Sequence, residues 1–335
     1  MTQFGEKMKK KVFIDGQAGT TGLKIREILK NHDKIEVVEI SEEHRKDINK
    51  KKDLYSQVDL VVLCLPDDAA VEAAKAVPHN VKILDTSTAH RTADGWVYGF
   101  PELKDSMLGV FADSSQRKKI REAMRVANPG CHPTGALSII KPIICEGIAA
   151  NDYPFFITSI TGYSGGGRQM IENYNNRDKN DISWAVRPYA LSLKHKHIPE
   201  LVAVAGLNNA PIFYPILGDI EQGMLVSIGL ENRLLKKDVD AEDIHKVLTK
   251  YYDGEKFIKV LPFNDNSFLA DGLLPNAYLT ATDCNNTNNL QIMVFGNETQ
   301  TLIIARLDNL GKGASGAAVQ NLNLMLGFDE DDGGI

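Results

Sequence analysis

An apolar run, a glycine-rich turn and a helical pattern follow one another without a break near the start of this chain. Val12-Phe13-Ile14 reads as a short buried strand, and Gly16-Gln17-Ala18-Gly19-Thr20-Thr21-Gly22 as the turn. Leu23, Ile25, Ile28 and Leu29 then form the inner stripe of a helix packed on a sheet. Such a unit brings backbone N–H groups against a pyrophosphate, because glycine permits both the tight turn and the close approach. Gly16, Gly19, Thr20, Thr21 and Gly22 are thus the expected cofactor-facing turn. The spacing is Gly-x-x-Gly-x-x-Gly, not the commoner fingerprint whose first two glycines are one residue apart, and a purely structural turn looks similar. Residues 35–40, 60–65 and 81–84 read as further strands, with an Ala-rich helix at 68–76. That alternation predicts a mostly parallel sheet.

At 335 residues the chain holds two domains with substantial cores. An apolar content of 43% with 7% aromatics fits an α/β or α+β protein, and a net charge of −6 argues against a nucleic-acid partner. Lys9, Lys10 and Lys11 read as a solvated lead-in to the first strand. No apolar segment is long enough to cross a membrane, so no membrane partner is expected. Cys64, Cys131, Cys145 and Cys284 show no paired metal-ligand spacing. With no signal-peptide pattern at the start, they imply reduced thiols in the cytoplasm. The acidic tail 329–334 is expected to fray.

Asn128-Pro129-Gly130-Cys131-His132-Pro133-Thr134 is the segment that most invites a chemical reading. Ala136, Leu137, Ile139 and Ile140 recur after it at helical spacing. This puts Cys131 at a helix N-terminus, where unpaired N–H groups and the dipole favour the nucleophilic thiolate. A small buried cysteine is the plainer alternative. In Ser41-Glu42-Glu43-His44-Arg45-Lys46 the acids suit a ribose hydroxyl and the cations a 2′-phosphate, so residue pattern leaves NAD against NADP open. His195 and His197 are two apart. Extended backbone would point both rings to one face, with Lys194 and Lys196 opposite, whereas Pro199-Glu200 suggests a helix start instead. With one residue between the histidines and no acidic ligand set nearby, no metal site is expected.

Taken in order along nearly the whole chain, these segments resemble the N-acetyl-gamma-glutamyl-phosphate reductases, in their shorter form, and more distantly the aspartate-semialdehyde dehydrogenases. The likeness includes residues 12–22, Asp85-Thr86-Ser87-Thr88-Ala89-His90-Arg91, Tyr98-Gly99-Phe100-Pro101-Glu102-Leu103 and Asn128-Pro129-Gly130-Cys131. It continues through Gly162-Tyr163-Ser164-Gly165-Gly166-Gly167-Arg168, Lys194-His195-Lys196-His197-Ile198-Pro199-Glu200 and residues 308–321. The resemblance implies NADPH/NADP+ as cofactor. It also implies reduction of N-acetyl-L-glutamyl 5-phosphate to the 5-semialdehyde and phosphate, in arginine biosynthesis. The implied fold is an α/β nucleotide-binding domain plus an α+β substrate and dimerisation domain with a mixed sheet. Residues 1–130 and 309–335 would form the first and 131–308 the second, in a homodimer or homotetramer. Residues 155–160, 224–230, 278–282, 290–295 and 301–307 supply candidate strands for that sheet. Helical spacing marks 240–252 and 314–325.

By the same resemblance Cys131 is the covalent nucleophile, and His132 stands where the family commonly has tyrosine. His195 matches the catalytic histidine, with His197 an alternative or an orienting neighbour that contacts substrate. Arg91 matches a phosphate-binding arginine, which Ser87 and Asn128 complete by hydrogen bonding; a surface or interdomain salt bridge is the alternative for Arg91. Arg168 binds a substrate carboxylate, anchors its loop or crosses a domain contact. Ser41, Gly165, Asn309, Gly311, Lys312 and Gly313 are expected at the cofactor, with Gly162, Ser164, Gly167 and Gly316 beside them; for both glycine-rich segments a flexible connection is the alternative.

Overall fold

The computed structural model describes residues 9–104, 115–236, 238–264 and 278–335. The chain forms two compact units. The first draws on the described residues of Met1–Pro101, Arg117–Pro129 and Ser315–Ile335, the second on those of Glu102–Gln116 and Gly130–Ala314. Gly130, the described residues of Glu102–Gln116 and residues 309–314, all expected with the first unit, cluster with the second.

In the first unit the strands are β1 (Lys10–Asp15), β2 (Ile35–Val38), β3 (Leu60–Leu63), β4 (Lys82–Asp85), β5 (Val97–Tyr98) and β6 (Arg125–Ala127). They form a six-stranded sheet of order β2-β1-β3-β4-β6-β5 in which every pairing is parallel. Val12, Ile14, Leu60, Val62, Leu84 and Val126 pack with Ile25 and Leu29 of α1 (Thr20–Leu29) and with Val319 and Leu322 of the C-terminal helix Gly316–Met325. Phe13, Val61, Leu63 and Ile83 pack instead with Tyr55 of α2 (Ile48–Tyr55) and Ala70 and Ala73 of α3 (Asp67–Ala76). Burial on both faces is why these strands read as unbroken apolar runs. Helix α4 (Gln116–Glu122) precedes β6 and buries Ile120.

The tail does not fray. Glu330 pairs with Arg117 and accepts from Gln320, while Asp332 pairs with Lys34. Its carboxylates meet cations that sequence distance hides. At the other end, Lys10 and Lys11 are the first residues of β1 itself.

The second unit opens on α5 (Cys131–Cys145) and continues with β7 (Phe156–Thr161), α6 (Gly167–Asn176), β8 (Val186–Pro188), α7 (Ile198–Ala205), β9 (Ile212–Gly218) and β10 (Met224–Glu231). Then come α8 (Ala241–Tyr251), β11 (Ile258–Val260), β12 (Leu290–Gly296) and β13 (Gln300–Leu307), and α9 is the C-terminal helix of the first unit. The seven strands order as β11-β12-β13-β10-β7-β9-β8. β11 pairs with β12 and β7 with β9 in parallel; the other pairings are antiparallel, so the sheet is mixed. Helix α5 lies so close to β10 that a Cβ on Gly135 would meet Val226 Cγ2 at 2.5 Å. Pro142 inside α5 has no N–H for the Ser138 carbonyl one turn back, and the Tyr252 hydroxyl donates to that carbonyl at 2.8 Å instead.

The expected strand at 278–282 is absent. Thr280 Oγ1 donates to Asp283 and accepts from the Thr282 N–H, a local bonding pattern that competes with a ladder. β9 was hidden by Pro211 and Pro215, which argue against a strand on sequence grounds. The helix expected from residue 314 starts at Gly316, after a π turn over Gly311–Ser315. One face of the mixed sheet is left apolar and uncovered: Phe156 and Ile160 of β7, Ile212 of β9 and Leu302 of β13 are 38–50% exposed.

Candidate functional site

In the first unit the residues after β1, β2 and β3 surround a cleft of about 540 Å³. Its lining includes Asp15, Gly16, Gln17, Ala18 and Gly19 from the turn, Ile40 and Glu42 after β2, and Cys64–Pro66 after β3. This is the carboxyl end of the strands where the chain switches direction across the sheet, the usual ligand crevice of such folds. Gly16 has φ +93°, and a Cβ there would strike the Cys64 carbonyl oxygen at 2.2 Å. A Cβ on Gly22 would meet the Gly16 carbonyl oxygen at 2.5 Å, so both glycines are required by packing. Gly19 is different. A Cβ there meets only the Gly16 oxygen, at 3.5 Å, and the residue caps α1 with no side-chain bond and no acid in the first turn. The amides of Thr20, Thr21 and Gly22 follow it, at the positive end of the helix. Arg26, Arg45, Lys46 and Lys51 also line the cleft. Lys51 is bound to buried Asp15, which takes the Tyr55 hydroxyl as well, and Ser41 meets its own neighbour His44.

The same unit gathers Ser87, Arg91 and Asn128 beyond the ends of β4 and β6. Arg91 Nε donates to the Asn128 carbonyl at 2.9 Å and Nη2 to that of Thr86 at 3.3 Å. Ser87 Oγ donates to Asp85 at 2.7 Å, and Asn128 Oδ1 accepts from Asn321 at 3.0 Å. The latter two side chains thus already brace the turn and the C-terminal helix. Asp85 also holds His90, which stacks on Trp96.

In the second unit Cys131 is the first residue of α5. Gly130 caps the helix with extended backbone, and its carbonyl accepts both the N–H and the hydroxyl of Thr134. The Gly130 N–H donates at 2.8 Å to Glu200 Oε1, a carboxylate only 2% exposed on the first turn of α7. On the other side of the cysteine, the His132 ring lies 5.7 Å from that of His195 and 5.5 Å from that of His197. The residues flanking Cys131 are therefore both tied to the segment 195–200.

His195 and His197 do not share a strand face. They sit in a turn that ends at His197, the cap of α7, and the His197 N–H donates to His195 Nδ1 at 3.2 Å. The turn still brings their rings to 4.7 Å. A neutral His195 that accepts at Nδ1 carries its proton on Nε2. Burial, and then Lys196, lower the His195 pKa to about 4, so the ring is neutral at pH 7. His132 is bound at Nδ1 to Ser159 Oγ at 2.7 Å and at Nε2 to the Tyr189 hydroxyl at 2.9 Å, and burial lowers its pKa to about 3. Tyr189 is pushed well above the usual phenol range by burial and by neighbouring Cys131, so it stays protonated.

The other expected site residues have these partners. Lys312 is 1% exposed, with Nζ 2.7 Å from Glu102 Oε1. Asn309, buried, accepts the Gly223 N–H and donates to Ser164 Oγ, tying the 162–167 loop down. Gly165 lies against that amide, a Cβ there reaching Asn309 Nδ2 at 3.5 Å. Gly311 is crowded by the Thr287 carbonyl, and a Cβ on Gly313 would sit 2.9 Å from that of Cys131. Arg168 has a side chain 78% exposed and pairs with Glu172 one turn along α6. Glu200, Tyr189 and Ser159 were missed. Pro199-Glu200 marked a helix start, but nothing in the sequence couples it to Gly130.

A crevice at the carboxyl ends of a parallel sheet in one unit, and in the other a cysteine at the head of a helix followed by a histidine that meets two more, fit the dehydrogenase class. Residues 11–109 match the NAD binding domain of semialdehyde dehydrogenase, and residues 131–309 match its dimerisation domain. The chain is 48% identical to N-acetyl-gamma-glutamyl-phosphate reductase 2 of Nostoc sp., over 97% of this chain and 99% of that one. It is 41% identical to the N-acetyl-gamma-glutamyl-phosphate reductase of Sinorhizobium medicae, over 95% and 99%. Aspartate semialdehyde dehydrogenase II of Vibrio cholerae superposes with a TM-score of 0.66 at 16% identity, over 96% of this chain and 99% of that one, a likeness that speaks for the fold alone. The chain belongs to the semialdehyde dehydrogenase family, in its N-acetyl-gamma-glutamyl-phosphate reductase branch.

Proposed function

We propose that this enzyme reduces N-acetyl-L-glutamyl 5-phosphate to N-acetyl-L-glutamate 5-semialdehyde and phosphate with NADPH, in cytoplasmic arginine biosynthesis. The observation that carries the mechanism is the double tether around Cys131, Gly130 to Glu200 and His132 to the histidine pair. The Cys131 thiolate attacks the acyl carbon, phosphate leaves, and a thioester remains. Bound NADPH supplies the hydride for the reduction, and collapse of the thiohemiacetal then frees the aldehyde and the thiolate. The turn 16–22 and the head of α1 would hold its pyrophosphate. The cations Arg26, Arg45 and Lys46, of which Arg26 pairs with Glu39 and Arg45 with Glu42, suit a 2′-phosphate. The N–H groups at the head of α5 suit the developing oxyanion. His195, with its proton on Nε2, is fitted to donate toward that oxygen, which leaves His197 as the candidate to take the thiol proton. Arg91 is the residue we assign to the departing phosphate, through its planar guanidinium.

Residues 131–308 serve in this reading as the catalytic and dimerisation domain. The exposed apolar sheet face at Phe156, Ile160, Ile212 and Leu302 supports a homodimer or homotetramer, because a contiguous patch of this kind normally meets a partner. Phosphate-dependent NADP+ reduction tests the substrate. N-acetylglutamate semialdehyde should be oxidised far faster than aspartate semialdehyde, and the reverse order would move the enzyme to the aspartyl branch.

A further inference from the structure

We propose that His132, His195 and His197 together form a binding site for one divalent ion of the zinc class, placed beside the nucleophile. Among the described residues these three histidines offer ligand atoms that all lie within 4.8 Å of one another. Sequence spacing shows only the 195/197 pair. The third imidazole enters because α5 starts where the turn before α7 passes. Three imidazoles are a donor set suited to Zn²⁺, and three protein ligands leave a fourth position for solvent.

The approach needed is small. Nitrogens on a tetrahedral zinc, about 2.05 Å from it, stand roughly 3.3 Å apart, so the widest gap must close by about 1.5 Å, within the reach of ring rotations. His132 is held in the way such ligands usually are. Ser159 Oγ bonds Nδ1 at 2.7 Å and fixes the ring, which leaves Nε2 as the atom that can exchange its 2.9 Å bond with the Tyr189 hydroxyl for the metal. The Tyr189 ring, whose hydroxyl bonds Nε2 of His132, is 5.8 Å from that of His195. Phe213 closes one side, with its ring 5.1 Å from His132 and 5.0 Å from His195. The 3.2 Å contact from the His197 N–H to His195 Nδ1 is long enough to be given up easily.

Occupancy engages the imidazoles that the mechanism assigns to proton transfer, so submicromolar to micromolar Zn²⁺ should inhibit turnover reversibly; this consequence rests on the function proposed above. The test titrates the purified full-length chain with Co²⁺ alone and reads its visible ligand-field absorption, then competes Co²⁺ with Zn²⁺. The expected result is one ion per chain, with no sulfur-to-cobalt charge-transfer band. Affinity should fall at least about 10- to 100-fold in both His132→Phe and His195→Asn, since losing a ligand costs no less than losing a residue that merely orients one. Circular dichroism and NADPH binding check that each variant is folded, and His195→Asn carries the test if His132→Phe is not. Unchanged affinity in a folded variant overturns the site. A charge-transfer band, or loss of binding only in Cys131→Ser, also overturns it by assigning the ion to the thiol. Binding as described without inhibition upholds the site and removes His195 and His197 from the chemistry instead.

Discussion

Replacing Gly313 by alanine distinguishes a glycine that lets a cofactor approach from one that lets the nucleophile's helix approach. The new Cβ would stand 2.9 Å from Cys131 Cβ, 3.1 Å from the Asp308 carbonyl oxygen and 3.3 Å from Cys131 Cα, against 3.4 Å or more for ordinary contact. The closest contact must therefore open by about 0.5 Å. Neither neighbour yields freely. The Asp308 carboxylate accepts the N–H groups of Asn286 and Leu310, and its carbonyl accepts that of Gly313 itself. Cys131 follows a peptide pinned by Glu200. Overpacking of this kind costs about 1–3 kcal/mol. At roughly 2–4 °C per kcal/mol for a unit of this size, Tm should fall by roughly 2–12 °C. If a misplacement of 1 Å costs ~100-fold in rate, half of that predicts a kcat about tenfold lower. Cys131 alkylation by iodoacetamide should slow in parallel, while NADPH binding, read by fluorescence, stays near wild type. A Gly313→Ala enzyme that loses NADPH affinity but alkylates normally would refute the packing argument and return Gly313 to the cofactor site.

Cys131→Ser should abolish turnover yet bind NADPH. At pH 8 it should also remove a fast-alkylating thiol that neither Cys64 nor Cys284 replaces, because burial pushes the Cys64 thiol up to about 12 and raises that of Cys284. Single-turnover rates should fall in both His195→Asn and His197→Asn, and only His197→Asn should remove the general-base limb of the pH–rate profile. Tyr252→Phe leaves the Ser138 carbonyl of α5 without its donor and should cost about 1–3 kcal/mol in urea unfolding, with an unchanged slope. Arg91→Lys keeps the charge but loses the planar fork, so half-maximal rate should need roughly 10- to 150-fold more phosphate at normal NADPH affinity. Normal phosphate dependence would move Arg91 out of the pocket.

The parallel unit was legible in the sequence because its signals are local. A strand buried on both faces must be an apolar run, and a turn with φ +93° whose added Cβ would strike the Cys64 carbonyl oxygen must be glycine. Cys131 at the head of a helix was legible for the same reason, since the break at Pro129-Gly130 and the apolar spacing after it lie within a few residues. What sequence order leaves undetermined is every bond between residues far apart along the chain. Lys312 read as a cofactor cation, and only the fold shows its buried partner Glu102, 210 positions away. The tail read as frayed until Arg117 and Lys34 reached it. His195 and His197 read as an isolated pair, and Glu200 as a helix start. Only the packing of α5 against α7 put His132 beside the two rings and gave the Gly130 N–H its carboxylate. Local pattern fixes which residues can be helix, strand or nucleophile. Tertiary structure alone determines which charges and rings meet, because buried polar groups must find partners wherever the chain has brought them.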